Sequence, residues 1–81
     1  DSNGNEVDAI VSAPDGRWAA FEIKLNPDDT DDAAASLLRF AGNVETSRAG
    51  EPSALAVITS TGYGYRRPDG VNVIPISTLG P

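Results

Sequence analysis

Apolar and polar residues alternate over two stretches near the start of the chain. Glu6 to Ala13 and Arg17 to Leu25 are rich in β-branched and aromatic residues, and Pro14-Asp15-Gly16 between them has the composition of a tight turn. The pattern predicts a β-hairpin. Asn26-Pro27 ends its second strand, because proline has no N–H to donate to a neighbouring strand.

A helical spacing replaces this alternation from about Asp29 to Ser47. Apolar residues fall three and four positions apart and form one helical face: Ala34, Leu37, Leu38, Ala41 and Val44. The acidic run at positions 28–32 suits a helix N-terminus, because such residues cap open N–H groups and complement the helix dipole. Its spacing is not that of a calcium loop, which needs alternating oxygen ligands, a central glycine and a distal glutamate.

Two further strands are predicted in the C-terminal half. Ser53 to Ser60 contains a short apolar run typical of a buried strand, and parallel pairing is expected because a helix precedes it. The last strand spans Val71 to Ile76, where Pro75 indicates an edge strand or a strand end. The order strand, strand, helix, strand, strand predicts an α/β (α+β) fold, with a mixed sheet of about four strands and one helix.

Length and composition narrow the class of protein. Residues 1–81 are expected to form a single domain with one modest core, and the absence of Cys, Met and His excludes disulfides, thiolate zinc sites and histidine-dependent catalysis. No apolar stretch approaches the roughly 20 residues of a membrane span, and no secretory signal opens the chain, so we expect a cytoplasmic protein without a membrane partner. The first residue, Asp1, suggests a fragment of a longer protein, and a second element covering the sheet is expected upstream of it.

The net charge of −6 bears on the choice of partner. It repels phosphate backbones at long range and provides none of the basic surface expected of a nucleic-acid binder. The domain alone is therefore expected to bind DNA poorly, unless neighbouring domains or bound divalent cations reverse the local field.

The predicted hairpin brings carboxylates and an ammonium group together. With the turn centred on Asp15, Asp8 faces Glu22 and Glu6 faces Lys24, and alternation along each strand places these four side chains on one face. Ile10, Trp18 and Ala20 share that face. The opposite face is expected to be the core, with these residues: Val7, Ala9, Val11, Phe21, Ile23 and Leu25.

Opposed carboxylates repel by a few tenths to about 1 kcal/mol, so Asp8 and Glu22 need a cation between them. Lys24 supplies one. The alternative is Mg²⁺ or Mn²⁺, which binds one or two carboxylates, activates water and stabilises a transferring phosphoryl group. With such an ion bound, Lys24 is placed to orient the water or neutralise the phosphate. A purely structural pair stays open, because exposed cross-strand ion pairs are common and contribute little.

Asp8, the hairpin turn and Glu22-Ile23-Lys24 resemble the PD-(D/E)XK nuclease-like core, in which an acid and an E-x-K segment on adjacent strands bind a catalytic divalent metal. More narrowly, four segments resemble the C-terminal domain of unknown function of prokaryotic AAA+-like ATPases. They are Gly4-Asn5-Glu6-Val7-Asp8, the E-I-K strand, the capped helix with Ser36-Leu37-Leu38, and the closing strand from Gly70 to Ile76. The resemblance covers nearly the whole chain and implies a restriction-endonuclease-like core.

Several functional expectations come from this resemblance. It implies that Asp8, Glu22 and the Ile23 carbonyl bind Mg²⁺ or Mn²⁺, and that Lys24 completes the catalytic set with Asp8 and Glu22 as a base-like or charge-stabilising group. It also implies an upstream ATPase domain of the same chain as a partner, and DNA as a partner of the full-length protein. The chain lacks the family's further acid from a preceding helix and any G-x-x-x-x-G-K-[ST] loop, so no ATPase activity is expected of these residues.

Two functions therefore stay open after the sequence. One is a Mg²⁺-dependent nuclease-type site for nucleic-acid phosphodiesters, and the other is a non-catalytic interaction or regulatory domain that keeps the nuclease-like fold. Tyr63, Tyr65, Arg66 and Arg67 could stack on bases and contact phosphates, although a solvated hairpin edge is the favoured interpretation. Trp18 is expected to pack under the upstream element.

Overall fold

Five strands form one mixed sheet in the computed structural model, which describes residues 7–46 and 50–78. Their spatial order is β1-β2-β3-β5-β4, with β2, β3 and β5 parallel and the two outer strands antiparallel to their neighbours. The strands are β1 (Ala9–Ser12), β2 (Trp18–Ile23), β3 (Ala54–Thr59), β4 (Tyr65–Arg66) and β5 (Asn72–Pro75). The predicted fold class is confirmed, with a short β4 added to the four expected strands.

One α-helix, α1 (Thr30–Thr46), connects β2 to β3 close to the predicted bounds. A 3₁₀ turn at Pro27–Asp29 leads into it, and Asn26 organises this turn by accepting the Asp28 N–H at its side-chain oxygen (2.9 Å) and the Asp29 N–H at its carbonyl (3.0 Å). A second 3₁₀ turn spans Ile76–Thr78. No helix among the described residues has the length and apolar character that crossing a membrane requires.

The β1–β2 hairpin has the predicted register from Ala13 to Ala9, but the ladder does not continue to the predicted Asp8–Glu22 pair, because Asp8 donates its N–H to Phe21. Ala13 donates its N–H to the Arg17 carbonyl at 2.7 Å, and the paired residues continue from there to Ala9 opposite Phe21. Gly16 closes the turn at φ 94°, a backbone conformation that side chains disfavour, so the Pro-Asp-Gly sequence suits the turn it forms.

The helix covers the face of the sheet that was not expected to be the core. Trp18 and Ala20 are buried under α1, whereas Val11 and Ile23, from the expected core face, are 56% and 50% exposed. The prediction of that core face was wrong. The core on the helix-covered face consists of these residues: Trp18, Ala20, Ala33, Ala34, Leu37, Ala41, Leu55, Val57 and Val71.

The side chains of α1 explain this choice of face. Three alanines in the core let the helix approach the sheet closely, and Leu37, completely buried, fills the space between them. Trp18 packs edge to face on Phe40 with ring centroids 6.0 Å apart, so α1 covers it, and packing under an upstream element stays a prediction. The indole ring of Trp18 in the sheet thus packs against the phenyl ring of Phe40 in α1.

Val7 is the exception among the residues of the expected core face, because it packs against the core. The Asp8 N–H donates to the Phe21 carbonyl (3.0 Å), although Phe21 is already the partner of Ala9. This one-residue offset has the form of a β-bulge, which shifts the alternation of side chains along a strand. It accounts for Val7 facing the core while Ala9 stays exposed.

The β4–β5 hairpin closes the far edge of the sheet. Its turn is held by hydrogen bonds from Arg67 N–H to the Val71 carbonyl (2.8 Å) and from Gly70 N–H to the Arg67 carbonyl (2.9 Å). Pro75 is the last residue of β5, so it marks a strand end as expected, while β4 and not β5 forms the edge. The solvated hairpin edge is confirmed, since Tyr65 on β4 is 51% exposed.

Candidate functional site

The predicted E-x-K segment lies at the carboxyl end of β2. Ile23 pairs with Ile58 of β3, and the following residue, Lys24, donates its N–H to the Ile58 carbonyl at 2.9 Å. β1 pairs with β2 only as far as Phe21, so on that side the segment is bordered by Asp8, which precedes β1. The carboxyl ends of parallel strands are where open α/β sheets commonly bind ligands.

Glu22 is a buried carboxylate. Its side chain is 2% exposed, it pairs with Val57 in the sheet, and its Oε2 lies 3.7 Å from the Lys24 Nζ. The Lys24 side chain stays 30% exposed. Burial of a charged group costs free energy unless an opposite charge or hydrogen bonds compensate it, so Lys24 offsets part of the cost of burying Glu22.

Asp8 reaches the same strand end through the backbone of β2. Its Oδ2 accepts a hydrogen bond of 2.7 Å from the Ile23 N–H, and this carboxylate contact follows directly after the last β1–β2 pair. The carboxylate therefore lies against the residue between Glu22 and Lys24. The structure thus places Asp8 in contact with Ile23 and Lys24 in contact with Glu22, whereas Glu6 lies outside the described residues.

A polar contact between β2 and β3 continues beyond the paired residues and holds this strand end in place. Ser60 donates both its N–H (3.3 Å) and its hydroxyl to the Leu25 carbonyl. Thr59 is 1% exposed, and its hydroxyl donates to the Thr61 carbonyl at 3.1 Å. The sequence analysis did not identify either residue. The signal for them is a Thr-Ser pair at the end of an apolar strand that runs parallel to the E-x-K strand.

The donors at the site suit a hard divalent cation. Asp8 and Glu22 provide carboxylate oxygens, and the Ile23 carbonyl is on the β1 side of the strand, because the N–H and C=O of one strand residue point the same way. Among residues 7–46 and 50–78 no group of three or more His, Cys, Asp or Glu side chains is placed to hold a metal ion. Two carboxylates and one carbonyl still fit Mg²⁺, which binds few protein ligands and keeps several waters.

The arginine of the β4–β5 turn is engaged elsewhere. Arg67 Nη1 lies 2.6 Å from Asp31 Oδ1 at the start of α1, and its Nε lies 3.1 Å from Asp69 Oδ2. The hydrogen bond to Asp31, followed by that to Asp69, holds the pKa of Arg67 above its usual value. Arg67 therefore ties the hairpin to the helix, and of the four residues suggested for base stacking or phosphate contact it is the least available.

No curated protein and no solved structure matches this chain. One protein family does, and its match covers residues 1–79 of the 81. This agrees with the expectation of a domain of unknown function, while the upstream ATPase domain and the nuclease-like core stay predictions. The chain belongs to the family of the domain of unknown function DUF4143.

Proposed function

We propose that this domain binds Mg²⁺ or Mn²⁺ at Asp8, Glu22 and the Ile23 carbonyl and acts on nucleic-acid phosphodiesters in the manner of PD-(D/E)XK nucleases. The observation that carries the proposal is the buried Glu22 carboxylate beside Lys24, with the Asp8 carboxylate bonded to the backbone between them. A buried ion pair contributes little net stability compared with apolar side chains of the same size. Its position at a strand end therefore supports a role in chemistry.

Each residue has a distinct task in this proposal. Burial under α1 fixes the Glu22 side chain, and the hydrogen bond from the Ile23 N–H fixes that of Asp8, so both carboxylates are held before a ligand arrives. A bound divalent ion would supply Lewis-acid stabilisation of phosphate charge. The partly exposed Lys24 ammonium can reach a phosphate oxygen while staying near Glu22.

The charge of the domain restricts how it meets nucleic acid. With a net charge of −6, residues 1–81 cannot attract DNA by themselves. In the proposed function an upstream ATPase domain of the same chain, in the cytoplasm, supplies the basic surface that holds DNA, and this domain supplies the metal site. ATP is bound by that partner, since these residues contain no phosphate-binding loop.

A paramagnetic titration tests the metal site directly. Mn²⁺ added to ¹⁵N-labelled protein is expected to broaden the amide resonances of Asp8, Glu22, Ile23 and Lys24. Asp8→Asn removes one ligand charge and should abolish this broadening. Asp32→Asn is the matched control, because Asp32 is an exposed acid of the first turn of α1, and this variant should behave like the wild type.

Two further results decide between binding and catalysis. Lys24→Met should keep the Mn²⁺-induced broadening and lose cleavage of single- and double-stranded DNA by the domain joined to its ATPase partner. Broadening that centres on the acidic residues 28–32, or that is equal in Asp8→Asn, would contradict the metal site.

A specific observation favours a second candidate function, a non-catalytic interaction domain. The face of the sheet opposite α1, called here the open face, leaves Val11 and Ile23 at least half exposed beside the partly buried Phe21 and Ile58. Exposed apolar surface of this kind marks contact with other protein elements. Absence of Mn²⁺ broadening, together with binding of the domain to its own ATPase partner, would favour this function.

A further inference from the structure

Among the described residues, β1 is an edge strand without the charged or proline residues that usually protect such a strand from further pairing. All four of its residues, Ala9–Ser12, are exposed, and none is charged or a proline. The opposite edge, β4, is only two residues long and contains Arg66. Proteins commonly keep edge strands short or charged to prevent further strands from adding, so only β4 shows this protection.

The hydrogen-bond pattern shows which backbone groups of β1 point outward. Ala13 is hydrogen-bonded to Arg17, and bonded and non-bonded pairs alternate along an antiparallel ladder. Ala9 and Val11 therefore direct their N–H and C=O groups toward β2. Ile10 and Ser12 direct theirs away from the sheet, where an added strand would meet them.

An apolar cleft adjoins this edge on the helix-covered side. Its volume is about 280 Å³, and it is lined by Ile10, Ser12, Gly16, Trp18, Phe40 and Val44. Residues directly opposite each other in paired strands project from the same face. A side chain placed opposite Ile10 or Ser12 by an added strand would thus lie over the cleft.

We propose that β1 binds an extended peptide segment of another polypeptide by strand addition, with one apolar side chain in the cleft and basic residues on either side of it. The backbone pairing would give affinity and the cleft would give specificity, as in other cases of strand addition. This surface consists of β1 and the cleft, and it shares only Asp8, which precedes β1, with the proposed metal site.

Area and charge argue for a basic peptide over a second copy of the chain. A four-residue strand and one cleft offer much less than the roughly 1,200 Å² buried in stable protein–protein interfaces, whereas they match the length of a short peptide strand. Two copies would also bring together two net charges of −6. The exposed Asp8 carboxylate at one end of β1 attracts a lysine or arginine instead.

Amide hydrogen exchange with a designed probe tests this proposal. The probe is a capped heptapeptide with a central leucine, a valine on each side of it and two lysines at each end. We expect its addition to slow exchange at Ile10 and Ser12 by about tenfold or more, while the already bonded Ala9 and Val11 change little. Ser12→Pro removes an outward N–H and should abolish binding, whereas Ser12→Ala keeps it and should bind normally.

The controls use the peptide as well as the protein, so the test does not depend on the fold of one variant. Three changes to the probe should each weaken binding at least tenfold. They are replacement of the lysines by aspartates, replacement of the leucine by glycine, and methylation of alternate backbone nitrogens. Equal binding of the aspartate peptide, or unchanged exchange at Ile10 and Ser12, would overturn the proposal. Slowed exchange without peptide that grows with protein concentration would also overturn it, by assigning the edge to a second copy.

Discussion

The buried ion pair gives the sharpest prediction, because its two partners differ in exposure. Removing one partner of a fully buried pair costs about 3–5 kcal/mol, since the other charge is left in a medium of low polarity. Lys24 is 30% exposed, so water can replace part of its interaction with Glu22, which is 2% exposed. We therefore expect Lys24→Met to lower the free energy of unfolding by about 1–3 kcal/mol.

The opposite substitution should cost less. Glu22→Gln keeps the shape of the side chain and removes the charge that needs compensation, so the expected loss in free energy of unfolding is below about 1 kcal/mol. The double variant should then be close to Glu22→Gln alone. The coupling energy between the two positions then has the size of the Lys24→Met effect, about 1–3 kcal/mol.

Urea unfolding followed by fluorescence measures these differences. Trp18 is the single tryptophan of the chain and is 6% exposed, so its emission reports loss of the core directly. With a denaturant dependence of about 1 kcal/mol per molar urea, Lys24→Met should move the midpoint by about 1–3 M. Mn²⁺ should restore part of this loss, because a cation bound between Asp8 and Glu22 supplies the missing positive charge.

The reasoning fails if the two substitutions rank the other way. A larger loss for Glu22→Gln than for Lys24→Met would show that hydrogen bonds to the carboxylate, and not its charge, determine the stability of this strand end. A midpoint that is the same in all three variants would show that the pair has no energetic role.

Two other predictions concern the core and the hairpin tether. Leu37→Ala should lower the free energy of unfolding in urea by about 2–5 kcal/mol, because Leu37 is completely buried. Leu38 is the neighbouring residue and is 38% exposed, so Leu38→Ala should cost less than about 1 kcal/mol. Similar losses for the two variants would mean that α1 packs by another face. Arg67→Ala should cost about 0.5–1 kcal/mol and Arg66→Ala almost nothing, because only Arg67 pairs with Asp31 and Asp69. A cation whose pKa is raised in the folded state contributes stability that is lost only as the pH rises through that pKa. The contribution of Arg67 to the free energy of unfolding should therefore be constant from pH 6 to 10 and decrease with added salt. A decrease of this contribution between pH 6 and 10 would contradict the pairing.

The sequence predicted the hairpin register and the helix because both follow from local signals. A Pro-Asp-Gly turn sets which residues of β1 and β2 are opposite, and the spacing of Leu37 and Ala41 sets the buried stripe of α1. The two-residue strand β4 was not predicted as a separate element. So short a strand has no periodic pattern of its own, and pairing with β5 defines it.

The core face could not be chosen from β1 and β2 alone, because apolar residues occur on both sides of these strands. Which side becomes the core depends on where α1 packs, and a contact such as Trp18 on Phe40 joins residues far apart in the chain. The offset at Asp8, which turns Val7 inward, is likewise a property of the folded ladder and not of the turn sequence. Long-range contacts therefore decided what local patterns left ambiguous.

The corrected face changes how Glu22 should be interpreted. If the acidic face were solvated, the Glu22–Lys24 pair would be one of the many exposed pairs that contribute little, and no function would be needed to explain it. Under α1 the same carboxylate is almost completely removed from water, although an apolar residue there would join Ala20 and Val57 in the core at no electrostatic cost. A charge retained at such a position, one residue from the backbone group that binds Asp8, is better explained by chemistry at the strand end than by stability.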